Sequence, residues 1–145
     1  MNNMVCFCVG FVFSDDYQKI ALIRKNRPEW QVGKLNGIGG LIEEGETPIQ
    51  AMCREFKEEA WYPLEDWQQF AVLEGEDRKL FFFKTTCDLD KLKQQTDEEI
   101  EVHFISDVFK ENIIPNLIWL IPMALDKKVL DANIQIAKHG DHQRT

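Results

Sequence analysis

The order of apolar patterns along this 145-residue chain predicts an α/β fold, a mixed β-sheet with helices on two sides that together form an α/β/α sandwich. Three observations carry that prediction. Residues 4–13 alternate between Val5, Phe7, Val9, Phe11 and Phe13 on one side and Cys6, Cys8, Gly10 and Val12 on the other. Both sets are apolar, the pattern of a strand buried on both faces. Helical spacing takes over at about 47–60, and strand-like runs return at 67–74, 79–87 and 99–105.

Element by element, Asp15-Asp16 turns the first strand into a second at Lys19–Arg24, and residues 25–34 (KNRPEWQVGK) read as a loop. Asn36-Gly37-Ile38-Gly39-Gly40 leads into the helix. Thr47 is placed as N-cap and Pro48 at the first helical position. Ile49, Met52, Cys53 and Phe56 recur at helical spacing and would seat this helix on a core. Residues 67–74 and 79–87 form a hairpin around Gly75-Glu76-Asp77. In 99–105, Ile100, Val102 and Phe104 are expected to face inward, with Glu101 and His103 outward. A short helix capped by Ser106 is expected at 106–111, and another at 115–127 bending at Pro122. From about Ala137 the chain is polar and expected to fray.

Bulk properties narrow the function. The length suits one domain spanning 1–145. No apolar run approaches the roughly 18 residues needed to cross a membrane, and the N-terminus has neither a basic region nor a small-residue cleavage site. Cys6, Cys8, Cys53 and Cys87 show no CxxC pairing, so a reduced, cytoplasmic setting is expected. A net charge of −8 argues against a surface that tracks nucleic-acid phosphates.

The most informative stretch is Gly40–Tyr62, GLIEEGETPIQAMCREFKEEAWY. Its skeleton is Gly40, five residues, Glu46, seven residues, then Arg54-Glu55-Phe56-Lys57-Glu58-Glu59. On a helix, Glu55, Glu58 and Glu59 share one face and repel each other by a few tenths of a kcal/mol per pair, roughly. A hard divalent cation would cancel that repulsion. Glu-rich solvated faces are common, and the triplet alone would be read that way. The bare backbone of Gly39-Gly40, the helix start at Thr47-Pro48 and an Arg54 able to bridge carboxylates favour the metal.

This skeleton resembles the signature of the Nudix hydrolase family: Gly, five residues, Glu, seven residues, Arg-Glu-apolar-any-Glu-Glu-any-Gly-apolar. One position departs, since the final Gly is Trp61, and Pro63 is the residue that could end the helix instead. The resemblance implies Mg²⁺, or Mn²⁺, held by Glu55 and Glu59 with Glu58 nearby and the Gly39 carbonyl as a further ligand. It implies that Arg54 orients the carboxylates and Glu46 supports Arg54 beside Gly40. A signature Glu, such as Glu58 or Glu55, or a later loop Glu would be the base. Glu98 and Glu99 are the loop candidates, with a solvated acidic turn as the alternative.

For substrate, Gly33–Gly40 is similar to a stretch of Nudix enzymes that hydrolyse oxidised purine nucleoside triphosphates, where an Asn reads the base. Asn36 is the matching candidate, or else an Asn-Gly turn residue. Trp30 stands where those enzymes line the base pocket, and stacking there is worth roughly 1–3 kcal/mol. Residues 114–122 resemble a Trp-Pro-Asp-Asp segment of the same enzymes, but Ile114, Asn116 and Leu117 replace the Trp and both acids. Asn116 could still read a base, whereas selectivity for oxidised guanine is not expected. Trp119 is expected to pack inward. Arg24, Lys25 and Arg27 are candidates to hold phosphates.

The expected partner is therefore a small nucleotide, not a nucleic-acid polymer or a membrane, with monomer and homodimer both open. The expected reaction is metal-dependent hydrolysis of an ordinary or modified nucleoside triphosphate to monophosphate and pyrophosphate. The alternatives are hydrolysis of ADP-ribose, a dinucleotide or a nucleotide sugar, and a non-catalytic nucleotide sensor.

Overall fold

The computed structural model describes residues 4–137. The expected frayed tail from about Ala137 lies almost wholly outside the described residues. Eight strands form one mixed sheet: β1 (Val5–Phe13), β2 (Lys19–Arg24), β3 (Leu35–Asn36), β4 (Ile38–Leu41), β5 (Gln68–Glu74), β6 (Arg78–Thr86), β7 (Glu99–Phe104) and β8 (Ala132–Gln135). Three helices accompany it: α1 (Pro48–Ala60), α2 (Ile105–Val108) and α3 (Leu117–Leu125). The main path runs β3-β2-β1-β6-β5-β8, with β4 joined to β1 and β7 joined to β2.

Both faces of β1 are buried. Val9, Phe11 and Phe13 join Ile20, Leu22, Phe70 and Phe82 under Leu117, Leu120 and Ile121 of α3. On the other face Cys8 and Val12 join Ala21, Ile23 and Phe83 under Ala51, Met52 and Phe56 of α1. The expected sandwich is this arrangement. Phe56 meets Trp67 edge-on, with ring centroids 5.3 Å apart, anchoring α1 close to the site. Burying such a ring contributes about 2–3 kcal/mol. Ile49, expected in the same seam, is exposed.

The register of β1 with β2 opens the site. The two strands pair only at Val12–Ala21 and Phe13–Ile20. Beyond that point β3 takes the edge of β2 and β4 takes the edge of β1, at Phe7–Gly10. The sheet therefore forks, and residues 36–40, expected as a lead-in loop, line the fork as the end of β3 and the start of β4, joined at Gly37.

The structure corrects several expectations. In β7 Ile100 packs against the core as expected, but the rest of the strand departs from the expected alternation. Leu22 pairs with Glu101 and Ile20 with His103, which turns both polar residues inward beside Arg24. Val102 and Phe104 are half exposed, because α1 packs over β1 and β4 and does not reach this edge. Helix α2 begins at Ile105 and has no side-chain cap, so Ser106 is inside it, and the helix is shorter than expected. Trp119 is on the outer side of α3 and substantially exposed. Strand β8, which no alternation announced, pairs in parallel with β5 at Ala71–Glu74. At the end of α1, Trp61 itself takes the left-handed conformation (φ 68°), its N–H donating to the Lys57 carbonyl. Pro63 is not needed for the exit.

Candidate functional site

Thr47 caps α1 as expected, in a reciprocal box with Gln50, and this fixes the helix start relative to β4. Arg54 then projects across the β4–α1 loop. Its Nε and Nη2 donate to both oxygens of Glu46 at 2.6 and 2.9 Å, and Nη2 also donates to the Leu41 carbonyl at 3.0 Å. Its Nη1 donates to Glu55 at 3.0 Å and to Glu58 at 3.2 Å. One guanidinium thus ties two carboxylates of the helix to the loop that precedes it, a geometry lysine could not supply.

The three helix carboxylates are not equivalent. Glu58 is 58% exposed and leans on Arg54. Glu55 lies against the backbone of Gly40, where an added Cβ would sit 2.6 Å from its carboxyl carbon. Gly39 is hemmed in by β1, since a Cβ there would meet the Cys8 carbonyl. Glu59 is only 9% exposed and its Oε2 has no hydrogen-bond partner. Burial, and then the charge of Glu55, push the Glu59 carboxyl up to about 8, against the opposing pull of Lys25. Burial also raises Glu55, opposed by Arg54.

An orphaned, buried carboxylate oxygen beside a second half-buried carboxylate fits a hard divalent cation. Among the described residues no three carboxylate, imidazole or thiol groups make a complete cage. Mg²⁺ characteristically takes one or two protein carboxylates and fills its remaining positions with water and substrate phosphate, and Glu55 and Glu59 could supply such a pair.

Next to this face opens a pocket of about 320 Å³ whose walls include Lys25, Gly39, Gly40, Leu73 and Leu80. Trp30, Asn36 and Asn116, the three expected base contacts, all line it. Trp30 is on the 3₁₀ turn Glu29–Gln31 and is 57% exposed. Asn116 precedes α3 but makes no cap with its side chain, and its Oδ1 is buried without a partner. The Asn36 amide is engaged locally, by Gly37 N–H at 2.8 Å and by Gln31 at 3.1 Å.

The cations sort differently from the expectation. Arg24 is not on the pocket wall. Its guanidinium holds Glu101 with two bonds of 2.6 and 2.7 Å and donates to the Gly33 carbonyl, and this holds Glu101 down at about 2. Arg27 faces outward and pairs with Asp97 at 2.7 Å. Lys25 is the one of the three that reaches the pocket. Glu98 is no solvated turn residue: it is 4% exposed and clamps the opposite loop. It accepts from Lys25 Nζ at 3.0 Å and from the backbone N–H of Asn26 and Arg27 at 2.6 and 3.3 Å. Its charge also bears on Glu59. Glu99 is the exposed first residue of β7, paired across to Arg24, so the structure does not bring it to the carboxylate face. Sequence reasoning had no signal for Gln31 and none for the clamp by Glu98.

The model of the NUDIX domain family matches residues 5–131. The chain belongs to the Nudix hydrolase family. Among similar solved structures is MutT, in work on Aliivibrio salmonicida and Vibrio cholerae, with TM-score 0.73 and 21% identity over 84% of this chain and 98% of that one. A NUDIX hydrolase from Nitrosomonas europaea has TM-score 0.73 and 19% identity, covering 95% and 81% of the respective chains. The NUDIX domain of Shewanella oneidensis NrtR, solved with ADP ribose, has TM-score 0.69 and 18% identity over 86% and 87%. No curated protein sequence matches the chain significantly. Within this Nudix chain no helix of the described residues is long and apolar enough to cross a membrane.

Proposed function

We propose that this Nudix chain hydrolyses a nucleoside triphosphate, ordinary or modified, to the monophosphate and pyrophosphate, in a reaction that depends on Mg²⁺ or Mn²⁺. The observation that carries the proposal is the unpartnered Glu59 oxygen, buried near Glu55 and behind the Gly39-Gly40 backbone that walls a pocket presenting Lys25 and Asn116. Glu55 and Glu59, with the Gly39 carbonyl and Glu58 at the margin, would hold the cation. When bound there, it would neutralise phosphate charge and polarise the scissile anhydride.

The protein's own groups do the rest. Arg54 opposes the upward push of burial on Glu55 and aims its carboxylate, so that it does not reorganise when substrate arrives. Lys25 offers a positive charge to the phosphates, held in place by Glu98. Glu98 itself is fully engaged and charged, which makes it a positioning group; a proton acceptor is better sought at Glu58, which is exposed. The base would lie against Trp30 and within reach of Asn116. The acidic balance of the chain favours a free nucleotide over a polymer, in a cytoplasmic setting. ADP-ribose is the competing substrate, because a similar NUDIX domain was solved with it.

The deciding experiment is steady-state hydrolysis, with Mg²⁺ and with chelator, of the four dNTPs, 8-oxo-dGTP and ADP-ribose. Triphosphate cleavage that releases pyrophosphate and stops in chelator is expected. A kcat/KM for ADP-ribose about a hundredfold above every triphosphate, roughly 2.7 kcal/mol of transition-state binding, would overturn the choice of substrate.

A further inference from the structure

The hydrogen bonds around Asn36 fix the polarity of a neighbouring side chain. The Gly37 N–H can only donate, so the atom 2.8 Å from it must be Asn36 Oδ1. That leaves Asn36 Nδ2, which can only donate, facing Gln31 at 3.1 Å, and so Gln31 must present its Oε1 there. The orientation of both amides is thereby decided by chemistry. What remains on Gln31 is its Nε2, carrying two N–H donors and no protein partner among the described residues.

Gln31 is also well anchored. Its backbone N–H donates to the Pro28 carbonyl at 2.9 Å, and its carbonyl accepts from Lys34 N–H at 2.9 Å. The side chain lines the same pocket as Asn36 and Asn116. A backbone held at both ends and an amide held at its oxygen leave little freedom for the free NH₂, so this donor is pre-organised. Asn116 contributes the opposite polarity, a buried Oδ1 with nothing to accept from.

We propose that Gln31 is a specificity-determining residue of this site, donating its Nε2 to an acceptor on the base edge while Asn116 Oδ1 accepts from a donor on the same base. The inference rests on the nucleotide reading above but not on the reaction. It names the polar edge of the ligand: a carbonyl oxygen or unprotonated ring nitrogen beside an N–H, which each base offers in its own arrangement, so that the spacing of the Gln31 donor and the Asn116 acceptor sets the base preference.

The test separates binding from turnover. Wild type, Gln31→Met and Gln31→Glu are titrated with GMP, AMP, UMP, CMP and ribose 5-phosphate in chelator. Gln31→Glu retains an oxygen for Asn36 but replaces the free donor by an acceptor, and Gln31→Met retains neither. Both variants should bind the preferred nucleotide at least tenfold more weakly with ribose 5-phosphate unaffected, and Gln31→Glu should change the order of base preference. Equal losses on ribose 5-phosphate, or unchanged nucleotide affinities, would overturn the role of Gln31 and leave the proposed reaction standing. Base-dependent binding that Gln31 controls, without hydrolysis of any triphosphate, would support Gln31 and sink the reaction. A wild-type chain that binds none of the four nucleotides overturns the role of Gln31, and the reaction is then judged by the steady-state assay alone.

Discussion

Replacing Glu59 with Gln should strengthen the metal-free protein while destroying its activity. In the folded chain the Glu59 carboxyl sits at about 8, against 4.5 for an ordinary glutamate, chiefly through burial and then the charge of Glu55. Because the folded value is the higher one, its contribution to stability is fully present below about pH 4.5 and is lost as pH rises through 8. At pH 7 the unfolded chain gains from ionising this group and the folded chain does not, a difference of about 3 kcal/mol. Glu59→Gln removes that term, less whatever the buried amide loses by lacking partners. We expect a gain of about 2 kcal/mol in chelator near pH 7, shrinking toward zero near pH 5. The assay is urea unfolding of both proteins across that range, with and without Mg²⁺. Mg²⁺ should stabilise the wild type and not the variant, and turnover of the variant should fall at least a hundredfold, roughly 3 kcal/mol of barrier. A variant no more stable than wild type in chelator, with the same pH dependence, would refute the strained-carboxylate account.

Three further outcomes follow from the geometry. Lys25→Ala should raise KM for a triphosphate about tenfold, whereas Arg24→Ala should leave KM alone and destabilise by about 1–3 kcal/mol through the loss of its bonds to Glu101; KM and unfolding midpoints measured on both variants tell these apart. Gly40→Ala places a methyl 2.6 Å from the Glu55 carboxyl carbon; the flexible carboxylate should yield, so calorimetry should show Mg²⁺ affinity lower by at least tenfold while stability changes by about 1 kcal/mol or less. Trp61 sits at φ 68° with Lys93 Nζ 4.7 Å from its ring centroid, so in a Lys93→Ala background Trp61→Gly should stabilise by about 1 kcal/mol in thermal unfolding by relieving the left-handed strain.

What could be read from the residues was local. Glu55, Glu58 and Glu59 are three and four apart, so helix geometry alone puts them on one face, and Thr47-Pro48 starts that helix wherever the rest of the chain goes. The alternation in 4–13 likewise declared a strand buried on both sides. The family signature spans a single turn and helix for the same reason, which is why one sequence sufficed to name the family and the fold.

The assignment of partners was decided by the tertiary structure. Arg24 finds Glu101 and Lys25 finds Glu98 across more than seventy residues: the register of β2 with β7 sets the first pair, and the Glu98 clamp on the loop beyond β2 sets the second. The inward turn of Glu101 and the exposure of Val102 follow from the same register and from the limited reach of α1. Strand β8 exists because the edge of β5 offers unpaired backbone, a property of the assembled sheet and not of residues 132–135. The unequal burial of Glu55, Glu58 and Glu59 has the same origin: spacing puts three charges on one face, but only the packing of α1 against β1 and β4 decides which of them loses its water.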